Sequence, residues 1–402
     1  MKKIAYLTTH FPVLSETFVG NEIRAIQRLK HDIELVAFEP SLGPAQADDL
    51  ILFKRLFILK KVSSVATLSR LLFSPFGLHS AMQFVNQQTG LPKRSLLWYG
   101  AKLAAHVKQT DCQHIHAHFG LASTATAIVA AKLAGVSVSF TCHGYDMYLS
   151  PADLTLKLQS ANFTVAVCNT MQQDMLSLSP KSNIIRVRCG VDVSQLDDKM
   201  SAPNYSSQRL LYLGRLSATK GVSVLMEALS IMPIEQRPFI DVVGDGPLKS
   251  ELVETCKTLG LTHWVSFLGA KPATWLGQHY GDYRALVAPF VITPEGVEDT
   301  GPLVIKEAMM YSLPVLTTDV SSCQEMLLDD HNKMANLGIM VKWGDPLALS
   351  QGLSKMMAYS PDTLRSMGTT GHQYLLSHFV IDDQVKHLSN AFETCQGEVQ
   401  YV

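Results

Sequence analysis

Short apolar runs alternate with longer amphipathic segments, and this pattern occurs twice along the chain. Continuous runs of Val, Ile and Phe between helix-like stretches are typical of βα units whose parallel sheet is buried on both faces. The predicted strands of the first half are Ile4–Leu7, Ile33–Phe38, His114–His118, Val136–Cys142, Phe163–Cys168 and Ile184–Cys189. Those of the second half are Arg209–Gly214, Phe239–Val243, Val265–Gly269, Ala285–Pro289, Pro314–Thr317 and Gly338–Val341. The sequence therefore predicts an α/β protein with two doubly wound domains.

A polar stretch separates the two series of strands. Residues 195–208 contain Pro203, Asn204 and a pair of serines, which is typical of a linker. The predicted parts are a first domain over 1–194, the linker over 195–208, a second domain over 209–378 and a final helix over 379–402. Doubly wound sheets bind ligands at the carboxyl ends of their strands, so we expect the chemistry on those loops, in a central cleft that both domains face.

Charge and cysteine content exclude several classes of protein. With 34 Lys and Arg against 35 Asp and Glu, the net charge of −1 excludes a nucleic-acid binder held by bulk positive charge. The two halves differ, since residues 1–192 carry 19 cations and 12 anions while residues 193–402 carry 15 and 23. The seven cysteines are odd in number and form no Cys-x2-Cys pair, as is typical of free thiols in a reducing cytoplasm. No apolar stretch is long enough to span a membrane.

Three loops of the second half carry the residues that could bind a phosphorylated ligand. In the loop Gly214–Gly221, Arg215 and Lys220 lie between a strand and a helix, where two cations suit a pyrophosphate. The alternative is that both are simply solvated. The next loop contains Gly244 and Gly246, which allow a backbone to approach a ligand, although the third glycine of a dinucleotide fingerprint is absent.

The third loop leads into a helix. Gly301 followed by Pro302 predicts a helix start, with free amides at Leu303 and Val304 that favour an anion. On either side of this start lie two carboxylates, Asp299 and Glu307, which can accept hydrogen bonds from ligand hydroxyls. The alternatives are an acidic helix start for Asp299 and a surface glutamate for Glu307.

The order of these motifs resembles that of family 4 glycosyltransferases, which are retaining enzymes with the GT-B fold. The motifs that carry the resemblance are Gly214–Gly221, Gly244–Pro247, Phe267–Gly269, Asp299–Glu307, His116–Gly120, Thr141–Asp146 and Cys189–Asp192. The opening Thr9–Phe18 resembles the subgroup that builds bacterial exopolysaccharides such as colanic acid. The resemblance covers the whole chain and implies a C-terminal helix that crosses back to the first domain.

The resemblance also implies roles for individual residues. Arg215 and Lys220 would neutralise the donor pyrophosphate, Glu307 would hold the nucleotide ribose, and Asp299 would bind hydroxyls of the transferred sugar. The family usually has glutamate at the position of Asp299, and the neighbouring Glu298 leaves open which carboxylate fills it. His143 would lie near the reacting sugar, the alternative being a structural histidine at the end of a strand. The implied mechanism is same-face attack, in which the leaving phosphate takes the acceptor proton.

Metal and cofactor requirements follow from what the chain lacks. No two aspartates are separated by a single residue, so the Asp-x-Asp that holds a divalent ion in GT-A transferases is absent. We therefore expect neither a metal nor a cofactor, with the two cations of Gly214–Gly221 in place of the ion. His116 and His118 share one strand face, which is compatible with a hydrogen-bonded packing feature. The alternative is a zinc site, for which no cysteine or carboxylate partner stands at ligand spacing.

The acceptor side is predicted from the first half. Ser15, Glu16 and Thr17 open a helix after the first strand and, with His118, are the candidate acceptor contacts, the alternative being helix capping alone. Residues 51–110 hold nine Lys or Arg and no Asp or Glu among apolar side chains. Such a surface could lie on an anionic membrane, which would bring a cytoplasmic enzyme to a lipid-diphosphate-linked acceptor; the alternative is a solvated helical pair that covers the sheet.

The expected activity is transfer of a sugar from a nucleoside-diphosphate sugar to a glycan or lipid-linked acceptor in bacterial polysaccharide assembly. One rival is an epimerase of nucleotide sugars on the same fold. Another is a catalytically impaired partner of a synthase complex that binds the nucleotide sugar, an interpretation that Asp299 keeps open.

Overall fold

The computed structural model describes residues 1–72, 75–196, 203–328 and 336–395, and the chain forms two compact units. The first unit consists of Met1–Cys189 and the chain from Ile381 onward, and the second of Gly190–Val380. Each unit is built around a parallel sheet, which confirms the α/β class and the two doubly wound domains.

The sheet of the first unit has seven strands in the order β3-β2-β1-β4-β5-β6-β7. The strands are β1 (Lys3–Phe11), β2 (Asp32–Pro40), β3 (Phe57–Ile58), β4 (His114–His118), β5 (Ser137–Thr141), β6 (Phe163–Ala166) and β7 (Ile184–Arg186). β1 lies at the point where the strand order reverses, with β2 on one side and β4 on the other. In open parallel sheets this is where loops diverge to leave a ligand crevice.

Helices cover both faces of this sheet. They are α1 (Thr17–Arg28), α2 (Ala47–Phe53), α3 (Ser64–Leu72), α4 (Pro75–Gln87), α5 (Lys93–Gln109), α6 (Ala122–Ala134), α7 (Leu154–Ser160), α8 (Asn169–Leu178) and α16 (Ile381–Thr394). α1 buries Val19, Ile23 and Ile26, which recur at helical spacing on one face. That face packs in one core with Val385 and Phe392 of the last helix.

The sheet of the second unit has six strands in the order β10-β9-β8-β11-β12-β13. They are β8 (Arg209–Leu213), β9 (Phe239–Val243), β10 (Val265–Gly269), β11 (Ala285–Ala288), β12 (Val315–Thr318) and β13 (Gly338–Val341). The helices are α9 (Val222–Ile231), α10 (Lys249–Thr258), α11 (Ala273–His279), α12 (Leu303–Met310), α13 (Ser321–Leu327), α14 (Pro346–Ala358) and α15 (Pro361–His378). Here β8 and β11 flank the reversal of strand order, so the loops that follow them lie at the expected ligand edge.

The chain passes between units at points that differ from the predicted boundaries. Val191 pairs with Val380, and the Val191 amide donates to the Phe379 carbonyl at 2.9 Å. These bonds hold both crossing segments within the second unit, so the units change after Cys189 and after Val380. Part of the predicted linker, residues 197–202, and the end of the predicted final segment, residues 396–402, lie outside the described residues.

All twelve predicted strands are present, and the two-residue β3 is an additional one. Its residues lie in a cationic, apolar segment whose pattern is typical of helices, so no strand was predicted there. All seven cysteines are free thiols. Within the described residues, no helix is both long and apolar enough to cross a membrane.

Candidate functional site

The loop between β8 and α9 turns sharply at a glycine. After β8 a short 3-10 turn spans Ala218–Lys220, and Gly221 adopts a left-handed φ of 65° before α9 begins. A Cβ atom at Gly221 would lie 1.8 Å from the carbonyl oxygen of Pro289. Only glycine fits this close approach, which fixes Lys220 next to the loop that follows β11.

Backbone hydrogen bonds connect the loop Gly214–Gly221 to the loop that contains Gly244 and Gly246. The amide of Leu216 donates to the Asp245 carbonyl at 2.9 Å, and the Leu248 amide donates back to the Leu216 carbonyl at 3.1 Å. At Gly244 an added Cβ atom would lie 1.8 Å from the Gly214 carbonyl oxygen. The glycines of the two motifs therefore let the backbones touch each other. Their predicted role toward a ligand is not tested by these contacts.

The two cations of the first loop have different surroundings. Lys220 is mostly buried, and its Nζ atom lies 2.5 Å from Oδ2 of Asp299 and 4.9 Å from the centroid of the Phe290 ring. Arg215 is exposed, and its guanidinium has no partner in the part of the chain that the structure describes. The site thus offers one fixed cation and one that is open to an incoming anion.

The structure distinguishes the two adjacent carboxylates. Glu298 accepts hydrogen bonds from the amide of Ser321, at 3.1 Å, and from its hydroxyl. Asp299 instead pairs with Lys220 and accepts from the Gly301 amide at 3.2 Å. Glu298 therefore stabilises the start of α13, whereas Asp299 is the carboxylate that contacts Lys220 of the loop Gly214–Gly221.

Glu307 lies on the first turns of α12, whose start follows Pro302 as predicted. Its side chain is not a freely solvated surface group, since burial raises the pKa of Glu307 to about 7, an effect that the nearby Lys220 opposes. Within the described residues, the amides of Leu303 and Val304 donate no hydrogen bond. The site therefore combines a cation, a carboxyl group that titrates near neutral pH and free helix amides.

One residue beside Glu307 was not predicted. The hydroxyl of Tyr280 is buried without a hydrogen-bond partner in the described chain. Burial raises the pKa of Tyr280 well above its ordinary value, and the carboxyl of Glu307 adds to that effect. No motif pointed to Tyr280, because it lies in a short turn before β11 whose pattern is that of an ordinary connection.

In the first unit, β4 carries three buried histidines on one face. His114 hydrogen-bonds Ser137 and Ser139, each at 2.7 Å, and His116 hydrogen-bonds Ser139 and Thr141 of the same neighbouring strand. Parallel pairing of β4 with β5 places these partners side by side. The packing alternative is therefore confirmed for His116.

These histidines have a carboxylate partner that is not at ligand spacing in the sequence. Oε1 of Glu22, on α1, lies 3.1 Å from Nε2 of His118 and 3.8 Å from Nε2 of His116. Sequence spacing could not reveal the partner, because Glu22 lies 94 positions before His116 and meets it only when α1 packs on β4. Among the described residues, this is the one group of three potential metal ligands, within 4.8 Å of one another.

His143 follows β5 and is buried at the same edge of the sheet. Its Nε2 atom lies 3.3 Å from Nδ1 of His118, and its ring packs between Phe18 and Phe119. Its amide donates to Asp146, which also accepts from the Gly120 amide. Burial, with His118 nearby, lowers the pKa of His143 well below its ordinary value, so the ring is neutral.

The predicted acceptor residues lie at the start of α1. Ser15 is exposed, Thr17 is partly buried, and the N-cap position is occupied by Glu16 without a side-chain capping bond. The capping alternative is therefore wrong. Contact with an acceptor stays a prediction for Ser15, Glu16 and Thr17. His118 is fully buried, so the role that the structure supports for it is inside the hydrogen-bond network and not at the surface.

Comparison with known families matches both units. A family model described as "Glycosyltransferase Family 4" covers residues 15–195, and one described as "Glycosyl transferases group 1" covers residues 207–358. Two similar proteins align over nearly the whole chain. The amylovoran biosynthesis glycosyltransferase AmsK of Erwinia amylovora is 23% identical, over 90% of this chain and 92% of its own length. The putative colanic acid biosynthesis glycosyltransferase WcaL of Salmonella typhimurium is 24% identical, over 94% and 96%.

Solved structures extend the comparison to the fold. HepE of Anabaena, solved in complex with UDP-glucose, superposes with a TM-score of 0.73 at 15% identity, over 98% of this chain and 100% of that one. Sucrose-phosphate synthase of Thermosynechococcus elongatus superposes with a TM-score of 0.67 at 16% identity, over 98% and 100%. The two matched halves, the motifs that they contain and the doubly wound sheet of each unit show that the chain belongs to glycosyltransferase family 4 and has the GT-B fold.

Proposed function

We propose that this protein is a retaining glycosyltransferase that moves a sugar from a nucleoside-diphosphate sugar to a glycan or lipid-diphosphate-linked acceptor in bacterial polysaccharide assembly. The observation that carries the proposal is the grouping of Lys220, Asp299 and Glu307 at the ligand edge of the second sheet. The names of AmsK and WcaL support a polysaccharide product, and the HepE complex supports a UDP-sugar as the first donor to test.

The chemistry assigned to the second unit is electrostatic. Lys220, Arg215 and the amides of Leu303 and Val304 stabilise the negative charge that grows on the diphosphate as the glycosidic bond breaks. The diphosphate oxygen then takes the proton of the acceptor hydroxyl, which attacks on the same face. Glu307 accepts hydrogen bonds from the ribose. Contact of Asp299 and His143 with the transferred sugar rests on the family resemblance alone.

The test is a panel of UDP-, GDP- and ADP-sugars against the purified full chain, read by thermal shift and by release of the nucleoside diphosphate. We expect one nucleotide to stabilise the protein and to be released slowly from its sugar, faster with a suitable acceptor. Binding without release over any acceptor would favour the impaired partner, and release of an altered nucleotide sugar would favour the epimerase. No binding at all would contradict the assignment of the donor site.

We also propose that transfer needs no metal, because cationic side chains and helix amides occupy the role of a divalent ion at the diphosphate. We expect EDTA to leave the initial rate unchanged. Loss of the rate with EDTA and its recovery with Mg²⁺ or Mn²⁺ would contradict this part of the proposal.

The pKa of Glu307 predicts how donor binding depends on pH. Since a protonated carboxyl accepts fewer hydrogen bonds, the affinity for UDP-glucose should fall as the pH is lowered through about 7. Between about 7 and the lower pKa that Glu307 has in the donor complex, Kd rises by up to about tenfold per unit of pH. For the free protein the sign is opposite, because a raised carboxyl pKa stabilises the folded state at low pH, and this contribution disappears between about 4.5 and about 7.

Isothermal titration from pH 8 to pH 5.5 measures the effect, and UDP-glucose is preferred to UDP because its esterified diphosphate does not titrate in this range. Glu307→Gln is the control: it should bind more weakly at pH 8 and show a flat profile. An equally steep profile in Glu307→Gln would assign the titration to another group.

The membrane contact predicted for residues 51–110 remains a proposal, and the exposed side chains support it. Val65, Leu68 and Phe76 of α3 and α4 are 78%, 50% and 83% exposed. Several cations of the segment are also exposed, namely Lys54, Arg55, Lys60, Lys61, Lys93, Arg94 and Lys108, whereas Lys102 is buried. We expect the protein to float with phosphatidylglycerol vesicles at low salt, to lose binding as salt rises, and not to float with phosphatidylcholine vesicles.

Two variants separate the contributions to vesicle binding. Phe76→Ser removes an aromatic side chain that is 83% exposed, and Lys54→Glu with Arg55→Glu reverses two exposed charges. Each should weaken flotation by several-fold without changing thermal stability, because neither site is buried. Flotation that none of these changes alters, or its absence at low salt, would favour the solvated helical pair.

A further inference from the structure

A continuous chain of hydrogen bonds runs through the first unit to His143. The hydroxyl of Tyr6 donates to Oε1 of Glu22 at 2.9 Å. The same oxygen lies 3.1 Å from Nε2 of His118, whose other ring nitrogen, Nδ1, lies 3.3 Å from Nε2 of His143. All four residues are buried, so solvent does not compete for these contacts.

The topology of the sheet brings these residues together. β1 lies beside β4, and β4 lies beside β5, all in parallel. Tyr6 lies on β1, His118 is the last residue of β4, and His143 comes two residues after β5 ends. Glu22 projects from α1, the helix that directly follows β1. The series of hydrogen bonds therefore starts inside the sheet, at Tyr6, and ends at the ligand edge of the sheet, at His143.

The charge of Glu22 fixes the direction of the hydrogen bonds. Burial alone would raise the pKa of Glu22, but His118, His116 and the Tyr6 hydroxyl outweigh it, so the pKa is lowered and Glu22 is a carboxylate. A carboxylate only accepts, which requires Nε2 of His118 to carry a proton. The ring of His143 is neutral and therefore carries one proton.

One proton must then lie between the two rings, since two N–H groups facing each other would repel and two bare nitrogens would form no bond. If His118 carries only the Nε2 proton, the proton between the rings belongs to Nε2 of His143. Nδ1 of His143 is then unprotonated, and it has no hydrogen-bond partner among the described residues. This nitrogen is the last atom in the series of hydrogen bonds, and His143 is 9% exposed.

We propose that His118 is neutral and that Glu22, acting through it as a positioning residue, holds Nδ1 of His143 as a hydrogen-bond acceptor for a hydroxyl of the transferred sugar. The part that concerns the sugar rests on the proposed function, whereas the tautomer is a property of the free protein. Without Glu22, the proton of His118 can move from Nε2 to Nδ1 and face His143. The proton of His143 would then lie on its own Nδ1, which could donate to a sugar hydroxyl but could no longer accept from one.

The experiment uses the full chain with ¹⁵N-labelled histidine, with the signals of His143 assigned by their loss in His143→Asn. In the wild type we expect both His118 and His143 as Nε2–H tautomers. Glu22→Leu should give a mixed or Nδ1–H tautomer at His143 and lower kcat by about ten- to a hundredfold with little change in donor KM. Glu22→Gln keeps an acceptor oxygen and should recover most of the activity and the wild-type tautomer.

The matched control is His114→Asn. His114 lies on the same strand, is fully buried and bonds to two serines, but it does not contact His143. We expect it to lower Tm while kcat and the His143 signals stay as in the wild type. If His114→Asn lowers kcat as much as Glu22→Leu does, the network is merely structural and the proposal is overturned.

Other outcomes also decide the proposal. An imidazolium at His118 with an Nδ1–H tautomer at His143 in the wild type would overturn it, and so would one equivalent of zinc bound tightly in the purified protein through the same atoms of Glu22 and His118. An unchanged tautomer and kcat in Glu22→Leu would overturn it while leaving the glycosyltransferase assignment intact. If no donor is turned over, the proposed function fails and the nuclear magnetic resonance result still decides whether Glu22 sets the tautomer.

Discussion

Replacing Lys220 with alanine is expected to lower kcat by about two to three orders of magnitude at saturating donor, the size found when a single preorganised charge-stabilising group is removed. The Nζ atom of Lys220 is held between Asp299 and the Phe290 ring, in a mostly buried position where charge is only weakly screened. A loss of this size corresponds to about 3 to 4 kcal/mol of transition-state stabilisation. Initial rates of nucleotide release measure it.

Loss of stability must be separated from loss of catalysis, because Lys220→Ala leaves the carboxylate of Asp299 without its cation. The double variant Lys220→Ala with Asp299→Asn removes that unpaired charge and should recover the unfolding midpoint without recovering the rate. Lys257→Ala is a surface control, since Lys257 on α10 is exposed and forms an ion pair with the exposed Glu254. Wild-type kcat in Lys220→Ala at saturating donor would contradict the assignment of Lys220 to the diphosphate.

The second large effect is expected at Gly221. Gly221 and Gly260 have nearly the same backbone conformation, with φ of 65° and 66°, but a Cβ atom at Gly260 would have no neighbour within 4 Å. In Gly260→Ala the unfolding free energy should therefore fall only by the cost of placing alanine in the left-handed region of φ, about 1 to 2 kcal/mol. Gly221→Ala adds a collision with the backbone oxygen of Pro289 and should cost about 3 to 5 kcal/mol of unfolding free energy.

Urea unfolding of the two variants isolates the effect of the close approach, because the conformational term is common to both. Gly221→Ala should also weaken donor binding, since the backbone that moves to relieve the collision carries Lys220. Equal midpoints for Gly221→Ala and Gly260→Ala would mean that the loop relaxes at little cost and that the glycine is not required for packing.

The fold could be predicted because buried parallel strands have a simple signature. The continuous apolar runs at 4–7 and 285–288, for example, fit a strand in a sheet that is covered on both faces. Phe57–Ile58 escaped prediction because two residues carry no period, and they lie in a segment with the composition of an amphipathic helix. The points at which the chain changes units depend on the pairing of Val191 with Val380, which no local pattern encodes.

The candidate site was predicted only where its residues lie in one motif. Lys220 and Glu307 could be predicted from the motifs that contain them. The choice between Glu298 and Asp299 could not be made from the sequence, because it depends on where Ser321 lies in space. The contact of Glu22 with His118 is a further example. The two residues belong to different βα units and meet only through the packing of α1 on the sheet, so their spacing in the sequence contains no information about it.

The late position of α16 in the chain has a consequence for biosynthesis. Phe392 packs against the rings of His114, His116 and Phe163, and so completes the core on one face of the first sheet. A ribosome releases this helix only after the whole of Gly190–Val380 has been synthesised. The second unit is thus a continuous segment inserted into the first, and it can fold during translation. Until α16 is released, the first unit lacks the helix that covers this apolar face of its sheet. Chaperone dependence and sensitivity to C-terminal truncation should therefore concentrate in the half of the protein that is made first.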